Sequence, residues 1–150
     1  MRKKRRYPKL TEFIPRNVKK YVGTWPIVIR SKWERKFCRI IDTNPDIIEW
    51  SSEDVVIKYL DPSKLNKVRR YYPDFWFKTK DLKQFIVEIK PLRETRPPRA
   101  SKKKSRLTIL NEQKTFKTNM AKFEAAKRWC DKMNMTFKII TEKELYGSKK

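Results

Sequence analysis

The chain has 150 residues, enough for one domain with a core and little beyond it. Forty Lys and Arg against 17 Asp and Glu give a net charge of +23, which points to a polyanionic partner, nucleic acid first, while five Trp, six Tyr and eight Phe exclude a fully disordered chain. With no histidine there is no histidine base, Ser-His-Asp triad or His-containing zinc site, and with only Gly23 and Gly147 neither a P-loop nor a dinucleotide-binding turn can be built.

Residues 1–24 are basic and proline-punctuated without a clear period, which predicts an arm with at most a helical turn near Asn17 to Tyr21. Arg2, Lys3, Lys4, Arg5 and Arg6 are its candidate phosphate contacts. No apolar segment follows this basic start and no apolar run approaches membrane-spanning length, so a soluble, non-secreted protein is expected. Residues 25–146 read as the folded domain. Ser31 to Asp42 (SKWERKFCRIID) is a helix with Trp33, Phe37, Ile40 and Ile41 on one face. Ser31 suits its N-cap, and Glu34 completes a capping box. The breaker TNPD ends it, the short strands IIEW and VVIKYL follow, and DPSKLNK connects onward.

Two further strands are expected at Tyr71 to Lys78 and Gln84 to Lys90. Residues 92–110, rich in proline, Lys and Arg, predict a mobile basic loop in which Lys102, Lys103 and Lys104 are candidate phosphate contacts. From Asn111 to Met133 the stripe Phe116, Met120, Phe123, Ala126 and Trp129/Cys130 predicts the best helix of the chain. MTFKII is a final strand, EKELYGSKK a polar end, and 147–150 a basic tail. Cys38 and Cys130 are far apart without metal-ligand spacing, and each suits a small core position, so reduced thiols are expected. The order predicts an α/β fold, a mixed β-sheet flanked by helices.

Charge within the stretch PDFWFKTKDLKQFIVEIKP (73–91) calls for an explanation, because a buried charge is costly unless paired or bound. Alternation sends Phe85, Val87 and Ile89 to one face and Ile86, Glu88 and Lys90 to the other. If the hairpin turns symmetrically about Asp81, Asp74 lies opposite Glu88, and like charges facing across a ladder are destabilising unless a cation sits between them. Magnesium fits, since it takes one or two carboxylates plus waters and phosphate oxygens. Lys90 beside it can orient a water and offset charge on a phosphate. The bland alternative is an ion pair from Lys90 to Glu88 or Asp74 on a solvent-facing sheet. Glu-x-Lys recurs at Glu34-Lys36 and Glu112-Lys114, but only 73–90 joins Pro-Asp on one strand to Glu-x-Lys on the next.

Pro73-Asp74 followed by Glu88-Ile89-Lys90, after a helix bearing a glutamate and before a long helix and a strand, resembles the PD-(D/E)xK nuclease superfamily. The wording SKWERKF, RRYYPDFWF and FIVEIKP is similar to its transposon-end nuclease branch, over roughly residues 30 to 141. The chain as a whole is also similar to head completion nucleases of T4-type bacteriophages. These resemblances imply a restriction-endonuclease-like core and Mg²⁺-dependent cleavage of DNA, with Mn²⁺ as a substitute. They also imply Asp74 and Glu88 as metal ligands, Lys90 as the catalytic lysine, and action in phage head completion before head-tail joining. Phage head and neck proteins are then implied partners, and the host cytoplasm and the virion the implied locations. Glu34 matches the acidic residue that the superfamily usually adds from its first helix, a role that stands beside its capping role. Glu49 is a fallback acid. Gln113 and Lys114, expected at the start of the long helix, are within reach of phosphate or simply exposed. With no recognition helix, little sequence specificity is expected. A non-catalytic DNA-binding head-assembly protein and a junction-resolving or repair nuclease of the same fold are the rival readings.

Overall fold

Strand β1 (Thr11–Phe13) pairs antiparallel with β2 (Ile27–Ile29), Thr11 opposite Ile29. The structure, a computed structural model, describes residues 10–147, so Arg2, Lys3, Lys4, Arg5 and Arg6 and the tail 148–150 lie outside the described residues. From Leu10 on, the expected arm is packed. Phe13 and Tyr21 are buried, and the Tyr21 ring meets Trp50 edge-on at 4.7 Å. The expected turn is a 3-10 turn at Val18–Lys20. Asp42, 1% exposed, accepts the backbone N–H groups of Arg16 (2.8 Å) and Asn17 (3.2 Å), and its carbonyl accepts from the Asn17 amide and Lys20 Nζ. Three-residue strands show no period, and this anchor lies 25 residues away, so the sequence reads the segment as loose.

Helix α1 (Lys32–Thr43) starts where Ser31 Oγ accepts the Glu34 N–H. It buries Phe37, Cys38, Ile41 and Asp42, whereas Ile40, expected inside, is 39% exposed. Ile40 and Cys38 lie about 80° to either side of the Phe37–Ile41 direction. Packing takes the Cys38 side, and Glu34, one turn before Cys38, turns inward with it.

Strand β3 (Ile47–Ser52) is followed by a hairpin of β4 (Ile57–Asp61) and β5 (Lys67–Tyr71), then by β6 (Phe75–Thr79) and β7 (Gln84–Ile89). Tyr71 to Lys78 is therefore not one strand. The chain breaks at Tyr72 to Asp74, where buried Pro73 has no N–H to give a ladder. Helix α2 (Arg106–Lys132), strand β8 (Thr136–Ile140) and helix α3 (Glu142–Tyr146) complete the order. α2 begins five residues before Asn111, capped by Ser105, and Leu92–Thr95 forms a 3-10 turn, so the basic loop is shorter than 92–110. Leu107 and Leu110 point outward, so these turns carry no stripe that marks them as helix. The expected polar end is helical from Glu142, with Thr141 and Glu144 closing a capping box and Leu145 buried.

The main sheet runs β3-β6-β7-β8, antiparallel except for the parallel pair β7-β8. One core cluster joins it to α1 through Phe37, Cys38, Trp50, Phe75, Val87 and Ile89. A second joins the β4-β5 hairpin to α2 through Ile57, Tyr59, Tyr71, Ala125 and Ala126. Alternation along β7 thus sends Val87 and Ile89 to the α1 cluster, and Glu88 away from it. Both cysteines are buried free thiols. Among the described residues no helix is long and apolar enough to cross a membrane.

Candidate active site

The β6-β7 hairpin keeps one register throughout: Phe75 faces Val87, Trp76 faces Ile86, Phe77 faces Phe85 and Lys78 faces Gln84. One step further, that register sets Asp74 against Glu88. Asp74 is anchored across the gap, because its Oδ2 accepts the Ile89 N–H at 2.7 Å. Glu88 is only 7% exposed. Its Oε2 accepts the buried Tyr71 hydroxyl at 2.7 Å, and Lys90 Nζ stands 3.7 Å from Oε1. The anticipated ion pair is therefore present, but long.

Burial pushes the Asp74 carboxyl well above the ordinary range, and the Glu88 charge pushes it the same way, against the pull of the Ile89 N–H. Burial also raises Glu88, opposed by the Tyr71 hydrogen bond and by Lys90 and Lys122. With Glu88 buried and Asp74 half-buried beside it, the pair resists carrying two negative charges at once. Asp74 and Glu88 supply two hard oxygen donors, the type a divalent cation takes. Among the described residues no group of three or more His, Cys, Asp or Glu side chains forms a closed metal cage.

Glu34 sits in the first turn of α1. Its carboxylate accepts the Arg30 N–H and the Ser31 hydroxyl, each at 3.3 Å, so the capping contact runs to Arg30 instead of the Ser31 N–H. Burial raises its carboxyl, and its charge acts in turn on Asp74. The contacts it makes here are capping contacts.

Three contributors escaped sequence reasoning. Tyr71 was placed on the same strand as Asp74, where no bend would return it to Glu88. Lys122, on α2, sits half-buried near the Tyr71 and Tyr59 rings (5.6 and 5.8 Å), and burial followed by the Lys90 charge depresses its ammonium. Its signal was a lysine between Met120 and Phe123 in the apolar stripe. Arg30 grips Glu53 through two hydrogen bonds, of 3.1 and 3.3 Å. Glu53, held at φ 54°, donates its N–H to the Asp74 carbonyl.

Other candidates lie apart. Glu49 pairs with Lys78 at 3.2 Å, four residues along β6 from Asp74, or roughly 13 Å. Gln113 and Lys114 are exposed within α2 and not at its start, and Lys114 is eight residues, about 12 Å, before Lys122. Lys102 and Lys103 are exposed, but Lys104 is bound to Glu112 at 2.9 Å and to the Arg99 carbonyl at 3.2 Å.

Tyr71→Phe keeps the ring and removes only the hydroxyl that fixes Glu88. DNA cleavage should fall about 10- to 100-fold, as for loss of a group that orients a ligand. Thermal melting of the variant checks that the fold is kept.

Residues 44–142 match the family described as TnsA-like endonuclease N terminal. The head completion nuclease of Enterobacteria phage T4 is 38% identical over 139 residues, covering 87% of this chain and 89% of that one. The family match spans Asp74, Glu88 and Lys90 and begins after Glu34. With its four-stranded mixed sheet flanked by helices, a restriction-endonuclease-like core, the chain belongs to the TnsA-like endonuclease N-terminal family.

Proposed function

We propose that this chain is a metal-dependent deoxyribonuclease that trims or cleaves packaged DNA during phage head completion, before head-tail joining. The observation that carries the chemistry is the pairing of buried Glu88 with half-buried Asp74 across the hairpin, with Lys90 beside them. In a protein that only binds DNA, two carboxylates that repel each other, one of them buried, would be a cost without a return. The phage setting is supported by the similarity to the phage head completion nuclease.

Asp74 and Glu88 would hold Mg²⁺, with Mn²⁺ as a substitute. The ion would supply Lewis acidity toward a phosphoryl oxygen and a lowered pKa for a bound water. Tyr71 fixes the Glu88 carboxylate, and the Ile89 N–H fixes Asp74, so the donors are set before substrate arrives. Lys90 orients the attacking water and offsets the charge that grows on the phosphate. Glu34 offers a further acceptor beside Asp74. Lys102, Lys103 and Lys114, with Arg2, Lys3, Lys4, Arg5 and Arg6, contribute phosphate contacts that carry little sequence information. Lys104 does so only by exchanging its Glu112 partner. Phage head and neck proteins are the proposed partners, in the host cytoplasm and retained in the virion.

Linear and covalently closed circular DNA incubated with the protein should be cut in Mg²⁺ or Mn²⁺ and left whole in EDTA. Intact DNA at every Mg²⁺ and Mn²⁺ concentration overturns the proposal. Cutting of the linear form alone identifies action from ends.

A further inference from the structure

Between the segment that follows Lys90 and the first half of α2 lies a cavity of about 890 Å³. Its size falls in the range that encloses small ligands, roughly 300–1,000 Å³. One wall carries Arg93, Arg96 and Arg99, and the other the Phe116 ring and the Asn111 and Asn119 amides. Glu94 and Glu112 also line it, but Glu112 is engaged by Lys104. Among the described residues no carboxylate pairs with Arg93, Arg96 or Arg99. The fold otherwise gives this cavity no structural task.

Position ties it to the carboxylate pair. Pro91 leads directly from Lys90 into the arginine-bearing wall. On the facing wall, Asn119 stands three residues before Lys122, about 4.5 Å along the helix axis. Lys122 in turn feels the charges of Lys90 and Glu88. A strand whose phosphate reached Lys90 and Lys122 would therefore have its neighbouring nucleotides beside the cavity.

The composition suits nucleotides whose bases are unpaired. Arginines take phosphates and stack on base faces, an aromatic ring offers a second stacking surface, and amides bond base edges. In a closed duplex those base faces are covered by their neighbours, and the cavity has nothing to receive. Resting on the deoxyribonuclease reading, we propose that this cavity binds an unpaired DNA strand. The substrate would then be a strand end or a frayed single-stranded stretch, and intact duplex would bind only through its phosphates.

The test is equilibrium binding by fluorescence anisotropy in EDTA, with a labelled 20-nucleotide single strand and a relaxed, covalently closed circular duplex as probes. Phe116→Ala and Arg96→Ala should each weaken single-strand binding by about tenfold and leave the closed duplex within about twofold of wild type. Arg96 is exposed, so its variant keeps the fold and decides the matter if half-buried Phe116→Ala melts. Unchanged single-strand affinity in the Arg96 variant overturns the proposal, and so does an equal loss on both DNAs. Because the assay contains no metal, such a failure leaves the nuclease reading standing. A wild-type protein that shows this binding pattern yet never cuts DNA would overturn the nuclease reading alone.

Discussion

Asp74→Asn and, separately, Glu88→Gln are expected to slow DNA cleavage in saturating Mg²⁺ by about a thousandfold or more, the scale of losing one aimed electrostatic group. Both replacements keep shape and hydrogen bonding. An asparagine at 74 can still accept the Ile89 N–H, and a glutamine at 88 can still accept the Tyr71 hydroxyl. What each removes is one negative charge from the carboxylate pair that we propose holds a cation. DNA affinity in EDTA should stay the same or rise slightly, since the variants are less repulsive to phosphate. Single-turnover cleavage of linear duplex separates chemistry from binding. If either variant cuts within tenfold of wild type and loses several degrees of melting temperature, the carboxylates serve the ion pair with Lys90, and the nuclease site lies elsewhere.

The hairpin bearing these residues was legible because two local rules sufficed. Period-2 alternation along FIVEIK fixed the faces, and a turn centred on Asp81 fixed the register, as observed from Phe75–Val87 to Lys78–Gln84. Neither rule needs anything beyond 20 consecutive residues. Tyr71 was lost for the opposite reason. YYPDFWFK reads as one strand, and only the docking of β4 and β5 on α2 bends it at Pro73 and returns the hydroxyl to Glu88. Lys122 was hidden likewise, since the rings that bury it come from another element. The packed segment from Leu10 depends on the Asp42 carboxylate, which by local pattern is merely the last residue of a helix. Glu34 was legible as a capping residue, because its partners Arg30 and Ser31 lie within four residues of it. Local periodicity thus locates the carboxylates, and long-range packing supplies the side chains that hold them.

Without metal, the protein should lose thermal stability as pH rises from 5 to 8, and Mg²⁺ should restore it. The sign follows from the carboxyls. Asp74, Glu88 and Glu34 are all raised in the folded state above the ordinary values of about 4. Between the unfolded and folded values the native protein holds protons that the unfolded chain has released, so stability falls as pH climbs. The contribution is complete below about pH 4 and is lost progressively above it. Carboxyls held low by hydrogen bonds, such as Asp61, Glu142 and Glu144, have the opposite sign, but they act at more acid pH. The chain has no histidine, so a slope above the ordinary carboxylate range reports the raised carboxyls, with Lys122, whose ammonium burial depresses, acting in the opposite sense. Mg²⁺ competes with protons for the pair, and its stabilising effect should therefore grow with pH. At a hundredfold excess over its dissociation constant it contributes about 2.7 kcal/mol, or roughly 5–10 °C in a chain of this size. Differential scanning fluorimetry across that range, in EDTA and in Mg²⁺, measures both effects. Asp74→Asn should flatten the slope and abolish the Mg²⁺ shift. A wild-type melting temperature that stays level from pH 5 to 8 in EDTA, with no response to Mg²⁺, would show that the two carboxylates neither repel one another in the native state nor hold a cation.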